Sequence, residues 1–239
     1  MSLKEQLLQI NPSEAVTLSE AEKKVKIEST FTRVFSWLGI SLLLAFWTAY
    51  WVFWGVKNGF IEPSYMFPVF VGSAILAFVL VIVISWFWEK LSYTALAVLF
   101  ILFSILEWFG LSGIFLTYQI KSIVLAFGLT SGLFLGLVLA GNVLKVDIAK
   151  WSTVLLVALV VLIIWALINI FLGNSTLDLI LTVAFIVVFS LLVILDINMI
   201  KQAALVGDKR LEIVMALSLY LDFINLFLEI LKLLGKSED

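Results

Sequence analysis

Four polar residues recur along one stretch of an otherwise apolar segment: Ser218, Asp222, Asn225 and Glu229, at intervals of four, three and four. On a helix that spacing puts all four on one face. Asp196, with Asn198 two residues on and Lys201 five residues on, lies near the end of the preceding apolar run. Glu107 interrupts a third run. Carboxylates and amides inside apolar helices are costly, about 2.5–3.5 kcal/mol per charge on insertion scales, so such a stripe faces a bundle interior or water rather than lipid. The chemistry open to it is proton binding, weak ligation of a hard cation, or hydrogen-bonded adhesion between helices. The chain has no cysteine and no histidine, which removes disulfides, thiol catalysis and the commonest transition-metal ligand. Any response to pH near neutrality therefore falls to carboxylates or lysines.

The elements that position these groups follow from composition. Of 239 residues, 63% are hydrophobic and only 13% charged, and the mean hydropathy is +1.18. A soluble domain is about half apolar and about a quarter charged, so the solvent here must be lipid. The net charge of −2 argues against a nucleic-acid partner, which requires a clustered basic face. Residues 1–30 read as a polar tail; a signal peptide is not expected there. Within it Ser19 and Glu22 form a capping box, so Ala21 to Arg33 are expected to be a short amphipathic helix leading into the membrane.

Residues 31–239 read as a single transmembrane domain with seven apolar runs: 34–55, 66–88, 92–118, 122–143, 152–172, 177–200 and 212–234. Each is long enough to cross a hydrocarbon core of about 30 Å. The third contains Glu107, Gly110 and Gly113, which predicts a tilt or a bend. Basic residues set the orientation. With the N-terminus in the cytoplasm, ten fall inside (Lys23, Lys24, Lys26, Arg33, Lys90, Lys145, Lys150, Lys201, Lys209 and Arg210) against four outside (Lys57, Lys121, Lys232 and Lys236). Gly128, Gly132, Gly136 and Gly141 form a small-residue stripe expected to pack within the chain. Trp51, Trp54, Trp86, Trp88 and Trp151 are expected to anchor span ends at the membrane interfaces.

The segment Met215-Ala-Leu-Ser-Leu-Tyr-Leu-Asp222-Phe-Ile-Asn225-Leu-Phe227 resembles the C-terminal signature of the transmembrane Bax inhibitor motif (Bax inhibitor-1/YetJ-like) family, in particular its bacterial members. Leu195-Asp196-Ile-Asn-Met-Ile200, Phe31-Thr-Arg-Val-Phe35, Ala126-Phe127 with the following glycines, and Lys145-Val-Asp147 also fit. The resemblance implies an all-α integral membrane protein, a seven-helix bundle with the last helix central. It further implies that Asp196 and Asp222 pair as a pH sensor that gates a calcium leak. Two nearby carboxylates cannot both ionise cheaply, so one holds a proton. In the family a basic residue after the second helix latches the sensor; here only Lys90 is available for that role. Residues 66–88 carry no acid where relatives place a glutamate, so that role either falls to Glu107 or is absent.

The expected function is thus a non-enzymatic, proton-regulated calcium leak, with Asp196 and Asp222 as sensor and weak calcium ligands. Asn198, Ser218, Asn225, Glu229 and Glu107 are the path-lining candidates. Calcium and protons are the expected partners, no cofactor is expected, and a bacterial cell membrane is preferred over an endoplasmic-reticulum-type membrane. A non-conducting membrane adaptor is the alternative. An intramembrane aspartyl protease fits poorly, because Leu219 to Leu221 precede Asp222 where such enzymes carry glycines.

Overall fold

The computed structural model describes residues 18–62 and 66–235. The first seventeen residues of the polar tail and Lys236 lie outside them. Seven helices of 19 residues or more make up the described chain, and no strand occurs among its residues. They are α1 (Glu20–Lys57), α2 (Met66–Phe87), α3 (Tyr93–Leu111), α4 (Ile120–Val143), α5 (Ile148–Leu172), α6 (Ser175–Val206) and α7 (Lys209–Leu234). A 3-10 turn, Trp88–Lys90, follows α2, and a four-residue helical turn, Ile114–Thr117, follows α3.

The capping box at Ser19 forms as expected: the Ser19 hydroxyl accepts from Glu22 N at 3.3 Å, and the Glu22 carboxylate accepts from Ser19 N at 2.8 Å. This cap opens a single helix of 38 residues, with no break between the charged stretch and the first apolar run. At 1.5 Å per residue it is ~57 Å long, nearly twice the hydrocarbon thickness, so its charged start projects from the membrane. The third run breaks after Leu111, in keeping with Gly110 and Gly113. A Cβ at Gly113 would sit 2.8 Å from the Phe70 ring, so α2 approaches this break closely.

Six helices are long and apolar enough to cross a membrane, and α3, apolar from Tyr93 to Glu107, is the shorter seventh. The outer surface is built for lipid: Phe171 is 90% exposed, Val143 81% and Trp86 77%. Water would not tolerate so many fully exposed large apolar side chains. Of the expected tryptophan anchors, Trp51, Trp54, Trp86 and Trp151 are exposed, whereas Trp88 is buried and belongs to the core.

α7 is the axis of the bundle. Fifteen of its 26 residues are buried, against three of 25 in α5. It packs against α1, α3, α4 and α6, while α5 leans on α6 at the periphery. Aromatic rings hold it on two sides: Phe100 and Phe103 of α3 meet Tyr220 edge to face, and Phe127 and Phe134 of α4 meet Phe223 in the same way.

The glycine stripe of α4 does not pack as expected. Gly128, Gly132 and Gly136 face open space, because α4 turns Ala126, Thr130 and Phe134 inward instead. Only Gly141 is at a close approach: a Cβ there would meet Ile197 Cβ of α6 at 2.8 Å. Gly141→Ala is therefore expected to lower the thermal unfolding midpoint in detergent, at a cost of roughly 1–3 kcal/mol from overpacking. Gly136→Ala should leave the midpoint unchanged or raise it.

Candidate functional site

Asp196 lies ten residues before the end of α6, and Asp222 lies thirteen residues after the start of α7. Measured from the turn that joins the two helices, these are depths of ~15 and ~20 Å at helical rise. The apolar runs alone put the two carboxylates ~9 Å apart in depth. The structure narrows that to ~4.5 Å, because α6 continues six residues past its run and α7 starts three residues before its own. Gly207, in the left-handed conformation at φ 77°, and the Asp208 cap (Oδ1 to Arg210 N, 2.9 Å) make this tight turn possible.

The two aspartates are 4% and 5% exposed and interact electrostatically. The Ser218 hydroxyl, one turn before Asp222, faces the Asp196 carboxyl. Oδ2 of each aspartate is buried without a hydrogen-bond partner. Among the described residues neither aspartate forms an ion pair. Two like carboxyls within electrostatic reach of each other in a buried setting cannot both carry charge cheaply.

The other polar residues of the pattern do different things. Asn225 turns back on its own helix, donating to Leu221 O at 2.7 Å. Asn198 donates to Ile194 O at 2.9 Å and to Gly141 O at 3.3 Å. Lys201 Nζ donates to Gly141 O and Asn142 O, both at 2.9 Å. Asn198 and Lys201 therefore tie α6 to the carbonyl end of α4 and do not join the pair.

Glu107 of α3 accepts from the Tyr220 hydroxyl at 2.5 Å. Tyr220 and Asp222 are two residues apart and point to nearly opposite sides of α7, so Glu107 lies across the central helix from the aspartates. Glu229 is ~10 Å beyond Asp222 along α7, beside Thr182 of α6.

Lys90 is exposed and lies 5.7 Å over the Phe87 ring rather than at the pair. The cation that ties this loop to α7 is Arg210. It donates to Glu89 O at 2.7 Å, grips Asp208 at 2.7–3.1 Å and lies over Trp88. The Arg210 hydrogen bonds hold the Asp208 carboxyl below its usual range.

One ion pair had no signal in the local sequence. Arg33 of α1 donates to Glu212 of α7 at 2.7 Å across 179 residues of chain. Glu212 is 4% exposed, and its Oε2 has no partner. Together with Lys26, Thr30 and Lys209 the pair lines a cavity of about 220 Å³ at the face where α1 begins. Its only sequence signal was an acid in the first turn of a span and an arginine at the start of another.

A bundle with an apolar exterior, an enclosed central helix and acids buried between spans defines a multi-pass integral membrane protein. Residues 27–239 match the family described as inhibitor of apoptosis-promoting Bax1, and the chain belongs to that family. It is 33% identical over 234 residues to a protein of Borreliella burgdorferi, covering 94% of this chain and 99% of that one. It is 32% identical over 227 residues to the inner membrane protein YbhL of Escherichia coli, covering 91% and 95%. A membrane protein of Streptococcus pyogenes serotype M6 is 29% identical over 223 residues, covering 91% and 96%.

Removing Arg33 leaves the buried Glu212 carboxylate without its counterion, whereas removing both charges does not. Arg33→Met is expected to cost roughly 1–3 kcal/mol of stability, and Arg33→Met with Glu212→Gln to recover most of it. Thermal unfolding of the single and double variants in detergent checks this; additive losses would mean the two side chains act independently.

Proposed function

We propose that the protein is a proton-regulated cation leak, with calcium the ion carried and the Asp196–Asp222 pair the gate. The observation that supports this reading is the pair of buried carboxyls from α6 and α7, each with an oxygen lacking a hydrogen-bond partner. A shared proton links the two helices in the closed state. When it leaves, two like charges a short distance apart repel, and each becomes a site for a cation.

Asp196, Asp222 and the Ser218 hydroxyl offer fewer than the six to eight oxygens that hold calcium tightly. Weak ligation suits passage, since an ion that binds must also leave. In this reading α7 moves relative to α6, and Gly207 with Asp208 and Arg210 forms the hinge and clasp at the turn. In this reading the face where α1 begins lies in the cytoplasm of a bacterial cell, which its excess of basic residues supports. The name of the Escherichia coli relative, an inner membrane protein, supports the same compartment.

Calcium entry into proteoliposomes, read with an entrapped dye from pH 6 to 8, tests the proposal. Wild type should conduct with a marked dependence on pH, and Asp196→Asn and Asp222→Asn should each flatten it. An absence of flux from correctly reconstituted protein at every pH would leave the pair as adhesion between helices and favour an adaptor role.

A further inference from the structure

The end of the bundle farthest from the Arg33–Glu212 cavity carries a second cluster of oxygens. Asp178, in the first turn of α6, pairs with Lys232, in the last turn of α7, at 2.6 Å. Two cavities flank this ion pair. One, of about 470 Å³, is lined by Asn169, Asn174, Ser175, Asp178, Glu229 and Lys232 among others. The other, of about 350 Å³, is lined by Ser175, Asp178, Thr182 and Lys232. Lys232 and Asp178 are thus the partition between two open spaces.

Behind the partition, buried polar atoms are left over. Thr182 is 1% exposed, lines the smaller cavity, and its Oγ1 has no hydrogen-bond partner. Glu229, which lines the larger one and faces Thr182, has a buried Oε2 that is likewise unpartnered. Buried hydroxyls and carboxylates are ordinarily satisfied, and each orphan costs about 1–3 kcal/mol. The Lys232 ammonium is taken up at 2.6 Å by Asp178 and its charge also acts on Glu229, which has Thr182 beside it, so the ammonium is shared between the two carboxylates.

We infer that Asp178, Thr182 and Glu229 form a hard divalent-cation site at this mouth, and that Lys232 occupies it as a tethered counterion. All the donors are oxygens: two carboxylates and a hydroxyl, with Ser175 at the rim. That set suits calcium or magnesium and not a soft metal. With three or four protein oxygens, water completes the shell and the affinity is low. The ammonium and the ion compete for Asp178: when Lys232 swings into either cavity, a divalent ion takes its place between the carboxylates. This inference rests on the leak reading only for its consequence, which is that ions are gathered at this mouth ahead of the central pair. The binding itself stands apart from conduction.

Equilibrium binding of radiolabelled calcium to the purified full chain in nanodiscs tests it. Wild type should bind weakly. Lys232→Met, which removes the competing charge, should tighten binding about tenfold. Adding Glu229→Gln to Lys232→Met should abolish the gain, and adding Thr182→Val should reduce it severalfold. The same gain should persist with Asp196→Asn and Asp222→Asn in place, so loss of conduction cannot be mistaken for loss of this site. Folding of each variant is checked by its thermal transition. If Lys232→Met folds and binds no more calcium than wild type, or if Glu229→Gln leaves the gain intact, the proposal is overturned. Binding that follows the proposal in a protein that passes no calcium would keep this site and refute the leak.

Discussion

Two carboxyl groups buried within electrostatic reach of each other inside an apolar bundle, neither in an ion pair among the described residues, are the constraint on which the structure turns. Moving one charge into such an interior costs several kcal/mol, and a second like charge nearby adds to it. A bundle can host Asp196 and Asp222 only if it keeps them at one depth, excludes lipid from both and lets them hold a proton. The fold brings the two to similar depths and encloses them, and the proposed gate adds the proton. The Gly207–Asp208 turn sets the depth of α6 against α7, and Ser218 faces the pair from one turn away. α1, α3, α4 and α6 close around α7 and bury fifteen of its 26 residues.

The polar contacts of the remaining chain lie near the ends of helices and fix their mutual heights. Arg33 holds α1 to the start of α7, Arg210 holds the loop after α2 to the same turn, and Lys201 with Asn198 holds α4 to α6. At the other mouth Lys232 joins α7 to α6. Between these clamps the interior carries hydroxyls such as Ser41, Ser104 and Thr130, which bond back to their own helices, besides the aspartates and the Glu107–Tyr220 contact on the far side of α7. α7 is therefore gripped at both ends, where Arg210, Glu212 and Lys232 lie, and laterally packed by aromatic rings, with Asp222 in its middle. A change in the charge of that middle acts on the helix that every major neighbour touches.

Much of this was readable before the structure. Composition forces a membrane, run length gives the spans, and the four-three-four spacing from Ser218 to Glu229 announces a polar face. Ser19 and Glu22 announce a cap because that signal is local. What escaped was information about depth and facing. The end of α6 and start of α7 lie in polar sequence that hydropathy discards, so the aspartates read as farther apart than they are. Gly128, Gly132 and Gly136 share their spacing with Gly141, but spacing cannot say which side of α4 meets a neighbour. Arg33 and Glu212 are too distant in sequence for any local pattern to join them. Lys90 follows α2 directly in sequence, whereas Arg210, reaching back from the turn before α7, is the cation that joins that loop to α7.

The central claim is that the aspartate pair shares a proton in the closed bundle. Infrared difference spectroscopy of the carboxylic-acid carbonyl stretch in membranes, recorded across neutral pH, reads this directly. The account predicts a protonated-carboxyl band at neutral pH that fades on alkalinisation and is altered or lost in both Asp196→Asn and Asp222→Asn. A band unaffected by either substitution, or none at all while the protein remains folded, would contradict it.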